Sequence, residues 1–385
     1  MSLATRRAMD LCVDVAGLDH LLPEATALRE RYNLKRGLGE GELSGAAKDE
    51  VLHRLGKLLE QMQAVAPPAD DAAPASGGAV VEVQGLEKHY GNAGHQFSLG
   101  PIDVTLRSGE ITGVVGENGN GKTTLLRAIA GELSADAGSI AYPGMPLEQH
   151  NNYLLRQHMA FIPQRLPLWT GTLLQNLRFI AAIHGLKGNA NLERVNFVIH
   201  RLGLSRFQHL KWKQLSSGYK LRFELARMVV WHPSVLVLDE PIANLDLNAQ
   251  QLFLQDLAHL AASTRHPLGI ILSSQQLHQI EEVAHQMLFL RNGKLLFAGN
   301  TDAFGQARSR NSFELSGPFE AAALYTALSA MEGVSIDENG LSFTIHTPLE
   351  VDGRKLLNTI LDHGLELSYF RNISHSTRKL MSGSL

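Results

Sequence analysis

Eight consecutive residues decide the fold of this chain, and they read Gly116, Glu117, Asn118, Gly119, Asn120, Gly121, Lys122 and Thr123. An apolar run, Ile111–Val115, leads into them, and a helical pattern over Thr124–Ala130 leads out. Glycine tolerates the turn and the close approach by which successive backbone N–H groups surround a phosphate, and the following helix adds partial positive charge. The pattern predicts a phosphate-binding loop between a strand and a helix, and not an ordinary glycine-rich turn.

The last two residues of this phosphate loop (residues 116–123) carry its polar chemistry. Lys122 is expected to reach the β- and γ-phosphates of a nucleotide, and the Thr123 hydroxyl is expected to ligate Mg²⁺. The sequence therefore predicts a chain that binds a nucleoside triphosphate.

A second nucleotide signal is a buried strand that ends in two carboxylates. The apolar run Val235–Leu238 is followed directly by Asp239 and Glu240. Asp239 is expected to complete the Mg²⁺ site, and Glu240 is expected to be the general base for an attacking water, a role worth about 10²–10⁴ in rate. Such a strand is common by itself, but its pairing with a phosphate loop favours the functional interpretation.

The overall composition excludes several classes of protein. The chain has 385 residues, enough for two or three domains, and its net charge of −3 gives no basic field, so no nucleic-acid partner is expected. The single cysteine, Cys12, excludes an internal disulfide and fits a reducing compartment. No apolar run approaches the roughly 20 residues of a membrane span. We therefore expect a cytoplasmic chain that serves a membrane process only by docking on another chain.

The chain divides into four predicted segments. Residues 1–63 are predicted to form a small all-α module, and residues 64–79 form an Ala/Pro-rich linker that cannot bury a core. Residues 80–305 alternate strand and helix patterns, which predicts an α/β domain with a largely parallel sheet. Residues 312–380 follow a βαββαβ-like order, which predicts a small α+β domain of ferredoxin-like fold, with Leu365–Phe370 as its last strand.

The predicted helical module depends on helix-spaced apolar residues. One such pattern runs from Leu11 to Leu28. A second predicted helix places six residues on one face, namely Val51, Leu52, Leu55, Leu58, Leu59 and Met62. The module is either a structural appendage or an adaptor that docks a partner, and the sequence leaves both open.

The motif order over residues 80–305 resembles that of the ATP-binding-cassette (ABC) ATPases. Between the phosphate loop and the acidic strand lies Leu215-Ser216-Ser217-Gly218-Tyr219, which resembles the family signature Leu-Ser-Gly-Gly-Gln. The resemblance implies a P-loop NTPase fold with a helical subdomain at about residues 150–230, ATP and Mg²⁺ as cofactors, and hydrolysis of ATP.

The same resemblance implies a head-to-tail pair of cassettes, either a homodimer or a pair with a related cassette. Ser216 and Gly218 would then contact the γ-phosphate bound by Lys122 of the partner subunit, because a serine N-cap and free N–H groups at a helix start favour anions. Ser217 and Tyr219 depart from the family signature, which bears on the strength of this pairing.

Three further positions match family motifs. Tyr90 stands where an aromatic residue stacks on adenine, although an edge-strand tyrosine is the alternative. Gln164 matches the glutamine that senses Mg²⁺ and the attacking water. Asp246, which ends the sequence Ala243-Asn244-Leu245-Asp246, matches the residue that touches the partner subunit, and a helix N-cap role is compatible with this.

One position departs from the family pattern. Gln275 stands where a histidine is expected to contact the γ-phosphate. Its amide can donate a hydrogen bond, but it carries no positive charge and shuttles no proton, so turnover is expected to be about ten- to a hundred-fold lower. His278 is one turn away and is the alternative, although a surface position is favoured for it.

These arguments define three sets of candidate residues. The catalytic set is Lys122, Glu240 and Gln275, and the metal set is Thr123, Gln164 and Asp239. The ATP-binding set is Tyr90, Gly116, Asn118, Gly119, Asn120, Gly121, Lys122, Thr123, Thr124, Gln164, Ser216, Gly218 and Asp246.

The segment Leu166–Ile180 resembles the part of exporter ATPases that receives a membrane permease. Its apolar residues, among them Trp169, Leu173 and Phe179, are also compatible with a subdomain core. The C-terminal tail is similar to a small domain appended to some exporter ATPases. The resemblance thus implies an exporter subunit on the cytoplasmic face of a membrane, with a separate permease. The alternatives are a soluble ABC ATPase of translation or DNA repair, and a regulatory ATP switch with a soluble partner.

Overall fold

The computed structural model describes residues 12, 21–28, 45–63, 77–92, 95–145, 152–275, 280–301, 310–339 and 342–372. The chain forms two compact units, Met1–Ala298 and Gly299–Leu385. No helix among these described residues is both long enough and apolar enough to cross a membrane.

The described residues up to Asn300 form seven named helices and nine strands. The helices are α1 (Gly45–Gln63), α2 (Lys122–Ile129), α3 (Asn152–His158), α4 (Leu173–Ile183), α5 (Gly188–Arg201), α6 (Ser217–Val229) and α7 (Leu247–Ala261). The strands are β1 (Ala79–Asn92), β2 (His95–Arg107), β3 (Ile111–Val115), β4 (Ala137–Ala141), β5 (Met159–Ile162), β6 (Val235–Leu238), β7 (Gly269–Ser274), β8 (Gln286–Arg291) and β9 (Lys294–Asn300).

These strands form two sheets. An antiparallel sheet has the order β2-β1-β4, and a six-stranded sheet has the order β5-β6-β7-β3-β8-β9. Four neighbouring pairs of the larger sheet, from β5 to β8, are parallel. Every residue of β3 and of β6 is buried, because strands covered on both faces are apolar throughout. The predicted α/β domain with a largely parallel sheet is confirmed.

The register of the parallel strands brings the motif loops together. Val115, the last residue of β3, pairs with Ser274, the last residue of β7, and Leu238 at the end of β6 pairs with Leu272. The segments that follow these three strands therefore leave the sheet at the same edge. Ligands of open parallel sheets bind at this carboxyl edge.

Two predicted boundaries differ from the structure. The helical subdomain expected at about residues 150–230 includes β5, which pairs with β6 in the six-stranded sheet. The part without named strands therefore begins only after Ile162. The linker expected at residues 64–79 lies outside the described residues up to 76, and its last residue, Ala79, already belongs to β1.

The N-terminal segment forms its own apolar cluster, with residues 22–28 and α1 as helices. The buried residues of this N-terminal cluster are Cys12, Leu21, Leu22, Ala25, Leu28, Val51, Leu55, Leu58 and Met62. The sequence places Leu52 and Leu59 on the same face of α1, but both are exposed. The face of α1 that the cluster covers is narrower than the set of apolar residues on the helix. Phe197 of α5 packs against the cluster, so the module contacts the cassette directly.

The described residues of the second unit form a four-stranded antiparallel sheet with two helices, α8 (Ala321–Leu328) and α9 (Gly353–Asp362). Its strands are β10 (Arg310–Ser316), β11 (Ser335–Asn339), β12 (Ser342–Pro348) and β13 (Tyr369–Asn372). The sheet order β11-β12-β10-β13, with a helix after β10 and another after β12, is that of the ferredoxin-like fold, as predicted.

The last strand of this unit begins later than expected. The sequence predicted a strand over Leu365–Phe370, but the pairing with β10 runs from Tyr369 to Asn372. Leu365 and Leu367 instead pack against the apolar core of the unit before the ladder begins. Apolar alternation indicates burial, which does not require ladder hydrogen bonds.

Candidate nucleotide site

The phosphate loop depends on glycine at three positions. Gly119 and Gly121 have positive φ angles of 82° and 97°, and Gly121 is the N-cap of α2. A Cβ atom on Gly121 would also lie 2.6 Å from Leu99, and one on Gly116 would collide with the carbonyl oxygen of Leu290. A side chain at these positions would distort the loop, so the glycine spacing is required by both conformation and space.

The Lys122 amine lies inside the loop. Its Nζ donates to the carbonyl oxygens of Gly116, at 2.7 Å, and Glu117, at 3.0 Å. It also lies 3.0 Å from Oε1 of Glu240, and both side chains are only 5% exposed. Attraction between these two buried charges offsets part of their lost hydration. The structure thus brings the predicted phosphate-binding lysine and the predicted general base into direct contact.

A hydrogen-bonded chain joins the phosphate loop to the ends of β6 and β7. The Thr123 hydroxyl donates to Oδ2 of Asp239 at 2.8 Å, and the Ser273 hydroxyl donates to Oδ1 at 2.8 Å. Ser273 also accepts a bond from the backbone N–H of Glu240 at 2.8 Å. Sequence reasoning missed Ser273, although a serine near the end of a buried strand beside an acidic strand was a usable signal.

The paired oxygens of Thr123 and Asp239 fit a magnesium ion. Mg²⁺ prefers carboxylate, hydroxyl and phosphate oxygens, and one or two protein oxygens commonly suffice beside substrate phosphates. Gln164, the third residue of the predicted metal set, is exposed and lies after β5, where it lines the same cavity as Thr123.

Glu240 adopts an uncommon backbone conformation. Its φ angle is 48°, in the left-handed region that non-glycine residues seldom occupy. Such strain persists where surrounding contacts fix it, and here the bond from its N–H to Ser273 and the contact with Lys122 do so. The carboxylate is therefore directed at the phosphate loop by the backbone.

Gln275 reaches the phosphate loop from β7. Its Nε2 donates to Oδ1 of Asn118 at 2.7 Å. The residue expected at the switch position is thus adjacent to the loop, and its amide is oriented by a loop side chain. His278, the alternative, lies outside the described residues.

A cavity of about 360 Å³ opens over the phosphate loop. It is lined by Tyr90, Phe97, Asn118, Gly119, Gly121, Lys122, Thr123, Thr124, Gln164 and Glu240. Tyr90 is 43% exposed, and its ring centroid lies 6.4 Å from that of Phe97. Phe97 was not expected from the sequence, since it lies seven positions beyond Tyr90 on the adjacent strand and pairing alone brings the two together.

Asn120 is directed away from this cavity. Its Oδ1 accepts a hydrogen bond at 2.8 Å from the N–H of Asn292, in the two-residue turn between β8 and β9. The next residue of that turn, Gly293, accepts a bond from the N–H of Gly100 in β2 at 2.8 Å. The side chain of Asn120 therefore supports the loop, and only its backbone remains for a phosphate.

Ser216, Gly218 and Asp246 do not line the cavity. Ser216 is the N-cap of α6, and Asp246 is the N-cap of α7, where its Oδ1 accepts a bond from Ala249 at 2.9 Å. A Cβ atom on Gly218 would lie 3.3 Å from that of Ala249, so the two helix starts are adjacent. The structure brings these motif residues to one surface, separate from the phosphate loop of the same chain.

The apolar stretch after Gln164 divides into a buried and an exposed part. Leu173 is buried, and Trp169 is partly buried, with its Nε1 donating to Glu224 at 3.1 Å. Phe179 remains 63% exposed, and two residues not singled out from the sequence, Leu168 and Ile183, are 83% and 61% exposed. The predicted docking surface therefore excludes Leu173, which belongs to the core.

Trp169 contacts a buried ion pair on α6. The Arg227 guanidinium lies 3.3 Å from the Trp169 ring centroid and donates to Glu224 at 2.8 Å. Burial raises the pKa of Glu224 and lowers that of Arg227, while their mutual attraction opposes both shifts. This Trp169–Glu224–Arg227 cluster ties the segment after Gln164 to the helix that Ser216 caps.

A phosphate loop, an acidic strand and a parallel sheet together define a P-loop nucleotide-binding protein. Residues 99–243 match the family model described as "ABC transporter". The resemblance to ATP-binding cassettes that the motif order predicted is therefore confirmed over this part of the chain.

Similar proteins include transporter components of different kinds. The chain is 31% identical over 244 residues to the "Probable multidrug ABC transporter ATP-binding protein YbhF" of Escherichia coli, covering 63% of this chain but 41% of that protein. It is 30% identical over 227 residues to the "Methionine import ATP-binding protein MetN" of Protochlamydia amoebophila, covering 57% of this chain and 66% of the relative. The chain thus spans less than two thirds of the first relative.

Solved structures show the same fold. The cbiO1 subunit from Clostridium perfringens, described as part of the ABC transporter complex cbiONQ, superposes with a TM-score of 0.54 at 24% identity. The match covers 60% of this chain and 91% of that chain.

Proposed function

We propose that this chain binds and hydrolyses ATP as the nucleotide-binding subunit of an ABC transporter that has a separate membrane permease. The observation that carries the proposal is the network in which Lys122, Thr123, Asp239 and Glu240 meet over the carboxyl edge of the parallel sheet. Positioning and charge stabilisation are the main requirements of phosphoryl transfer, and this network supplies both.

Each residue of the network has a distinct task in hydrolysis. Water attacks the γ-phosphorus, the bond to the β-phosphate oxygen breaks, and Glu240 accepts the proton of the attacking water. Lys122 offsets negative charge on the phosphates, while Thr123 and Asp239 would hold a Mg²⁺ ion, which would supply further positive charge against the phosphate oxygens.

The contact between Lys122 and Glu240 also suggests an order of events. A bound triphosphate attracts the Lys122 amine, which now contacts the Glu240 carboxylate at 3.0 Å. When the amine turns to the phosphates, the carboxylate loses its cation and becomes available as a base. Nucleotide binding would thereby activate the residue needed for the chemical step.

A head-to-tail pair of cassettes completes this proposal. Ser216 and Asp246 are exposed at adjacent helix starts, and neither lines the cavity of its own chain. Helix N-termini favour anions, so the start of α6 is suited to a phosphate held by another subunit.

The permease is proposed to dock on the exposed residues Leu168, Phe179 and Ile183. Phe179 and Ile183 are four residues apart on α4 and therefore lie on one face, and exposed apolar patches mark interaction sites. Export is the direction we propose, with the resemblance to the probable multidrug transporter protein as support. The methionine import relative of similar identity is the reason to test direction separately.

Fractionation tests the partner. The intact chain is expected in the membrane fraction when it is expressed with its permease, and outside that fraction without it. If it instead follows ribosomes or a soluble partner in both cases, the transporter assignment fails. For direction, ATP is added outside inverted vesicles that contain the complex, and an exporter concentrates substrate inside them.

A further inference from the structure

A second and larger cavity, of about 580 Å³, lies in the first unit. Its walls include Leu22 and Pro23 of the N-terminal segment, residues of α5, and the segments that precede β6 and β7. The cavity is therefore at the amino ends of these strands, whereas the phosphate loop is at their carboxyl edge. It shares no described lining residue with the cavity over the phosphate loop.

The described walls of this cavity are rich in cationic and imidazole side chains. The described lining residues include one carboxylate, that of Glu193. Against it stand three guanidinium groups and three imidazoles, those of Arg194, Arg201, Arg265, His200, His232 and His266. Leu22, Phe197 and Leu260 add apolar surface. A cavity of this size with apolar walls and a few convergent polar groups is typical of a small-molecule site.

Backbone carbonyls hold two of the guanidinium groups in place. Arg194 donates from Nε to the carbonyl of Val230 at 2.8 Å and from Nη2 to that of Val229 at 2.7 Å. Arg201 donates from Nη2 to the carbonyl of His259 at 3.0 Å. Because these bonds fix the cations beforehand, a ligand would not have to order them, which favours binding.

Two of these histidines, His232 and His266, have lowered pKa values in this environment. The ring centroids of His232 and His266 lie 4.1 Å apart. Desolvation, together with the charges of Arg194, Arg201 and Arg265, lowers the pKa of His232 to about 3 and lowers that of His266. Both imidazoles are consequently neutral at pH 7 and can donate or accept hydrogen bonds, while the arginines supply the charge.

We propose that this cavity binds a small organic anion, with a carboxylate or phosphate group toward the arginines and an apolar body against Leu22 and Phe197. The position favours an effector, because Leu22 belongs to the N-terminal cluster and Phe197 of α5 packs against that cluster. A ligand there would contact both the module and the cassette.

Fluorine NMR on the full chain tests the proposal. The probes are para-fluorobenzoate, para-fluorophenyl phosphate and, as the neutral control, para-fluorobenzyl alcohol. At least one anionic probe is expected to bind, and comparing the two identifies the preferred head group. Arg265→Gln should weaken its binding at least about tenfold, because a bond to a charged group is lost. Arg354→Gln, an exposed arginine of the second unit, should have no effect.

Two further variants keep the test decisive. Asn196→Trp fills the cavity from an exposed position on α5 and should abolish binding even if Arg265→Gln perturbs its loop. Lys122→Ala alters the phosphate loop and should leave probe binding unchanged. The proposal fails if neither anion binds, if the alcohol binds equally well, if Asn196→Trp binds normally, or if Lys122→Ala removes binding.

Discussion

At the scale of single residues, Glu240 is held at two points, one on its backbone and one on its side chain. Its backbone N–H is held by Ser273, and its carboxylate contacts Lys122. A conservative change of the carboxylate to an amide therefore keeps the shape of the site while removing the proposed base.

Glu240→Gln is expected to preserve ATP binding and to lower turnover by about 10²–10⁴, the usual contribution of a positioned general base. Turnover at saturating ATP and nucleotide affinity by calorimetry are the two measurements. Ser273→Ala is a useful comparison, because it removes the bonds to Asp239 and the Glu240 backbone but leaves the carboxylate. Near-normal turnover in Glu240→Gln would assign the base to another group.

Gln275→His is expected to raise turnover at saturating ATP by about ten- to a hundred-fold, because an imidazole can supply charge or a proton where the amide supplies one hydrogen bond. ATP affinity should change little. Gln275→Ala is the matched control, and it should lower turnover by removing the bond to Asn118 as well. Unchanged or reduced turnover in the histidine variant would mean that the site is adapted to glutamine.

At the scale of elements, the Trp169–Glu224–Arg227 cluster fixes the segment after Gln164 to α6. Both charges of the ion pair are almost fully buried. Removing one partner leaves the other buried and uncompensated, whereas exposed pairs contribute little.

Arg227→Leu is expected to destabilise the fold by about 3–5 kcal/mol, because the Glu224 carboxylate would lose its cation. Urea unfolding measures this change. Arg127→Gln is the control, since its pair with Glu132 is largely exposed and is worth about 1 kcal/mol or less. Adding Glu224→Gln to Arg227→Leu should restore part of the loss. Equal effects of Arg127→Gln and Arg227→Leu would contradict the role of burial.

Phe179→Asp and Ile183→Asp on α4 are expected to weaken permease binding at least about tenfold while basal ATP hydrolysis persists. Leu192→Asp on α5 is the matched control, because it places the same charge on another exposed apolar position of the first unit. Co-purification with the permease and ATP hydrolysis by the isolated chain are compared. Retained co-purification in both α4 variants would exclude this surface as the docking site.

The sequence predicts some elements far better than others, for physical reasons. β3, β6 and the phosphate loop carry their signals locally, in unbroken apolar runs and obligatory glycines. Phe97 and Ser273 reach the site through strand pairing, which the pattern along a single strand does not specify. Phe97 pairs with Tyr90 across the β1–β2 ladder, and Ser273 lies on β7 beside β6. Leu52 and Leu365 show the opposite error. The apolar pattern predicts burial for Leu52 and strand pairing for Leu365, but only the surrounding structure determines whether either occurs.

At the scale of the whole molecule, the proposed site is complete only when two chains meet. Ser216 and Asp246 are presented at adjacent helix starts. A bulky cation at position 216 should therefore affect the pair without affecting nucleotide binding by one chain.

Ser216→Arg is expected to prevent ATP-dependent dimerisation in the Glu240→Gln background, where hydrolysis no longer separates the pair. Sedimentation with ATP and Mg²⁺ measures the dimer. Ser216→Ala loses the N-cap bond to Tyr219, worth about 1 kcal/mol, but adds no bulk, so it separates helix capping from obstruction. A Ser216→Arg chain that still dimerises would argue against the head-to-tail arrangement.

The turn at Asn292 and Gly293 has a practical consequence for anyone who wishes to label this protein. Hairpin tips are ordinarily where reporter peptides can be inserted without harm. Here one residue of the tip bonds to Asn120 of the phosphate loop and the other to Gly100 of β2. An insertion at this tip would break the bonds that join the turn to the phosphate loop and to β2, beside the nucleotide cavity. A fluorescent tag placed there is therefore expected to impair nucleotide binding.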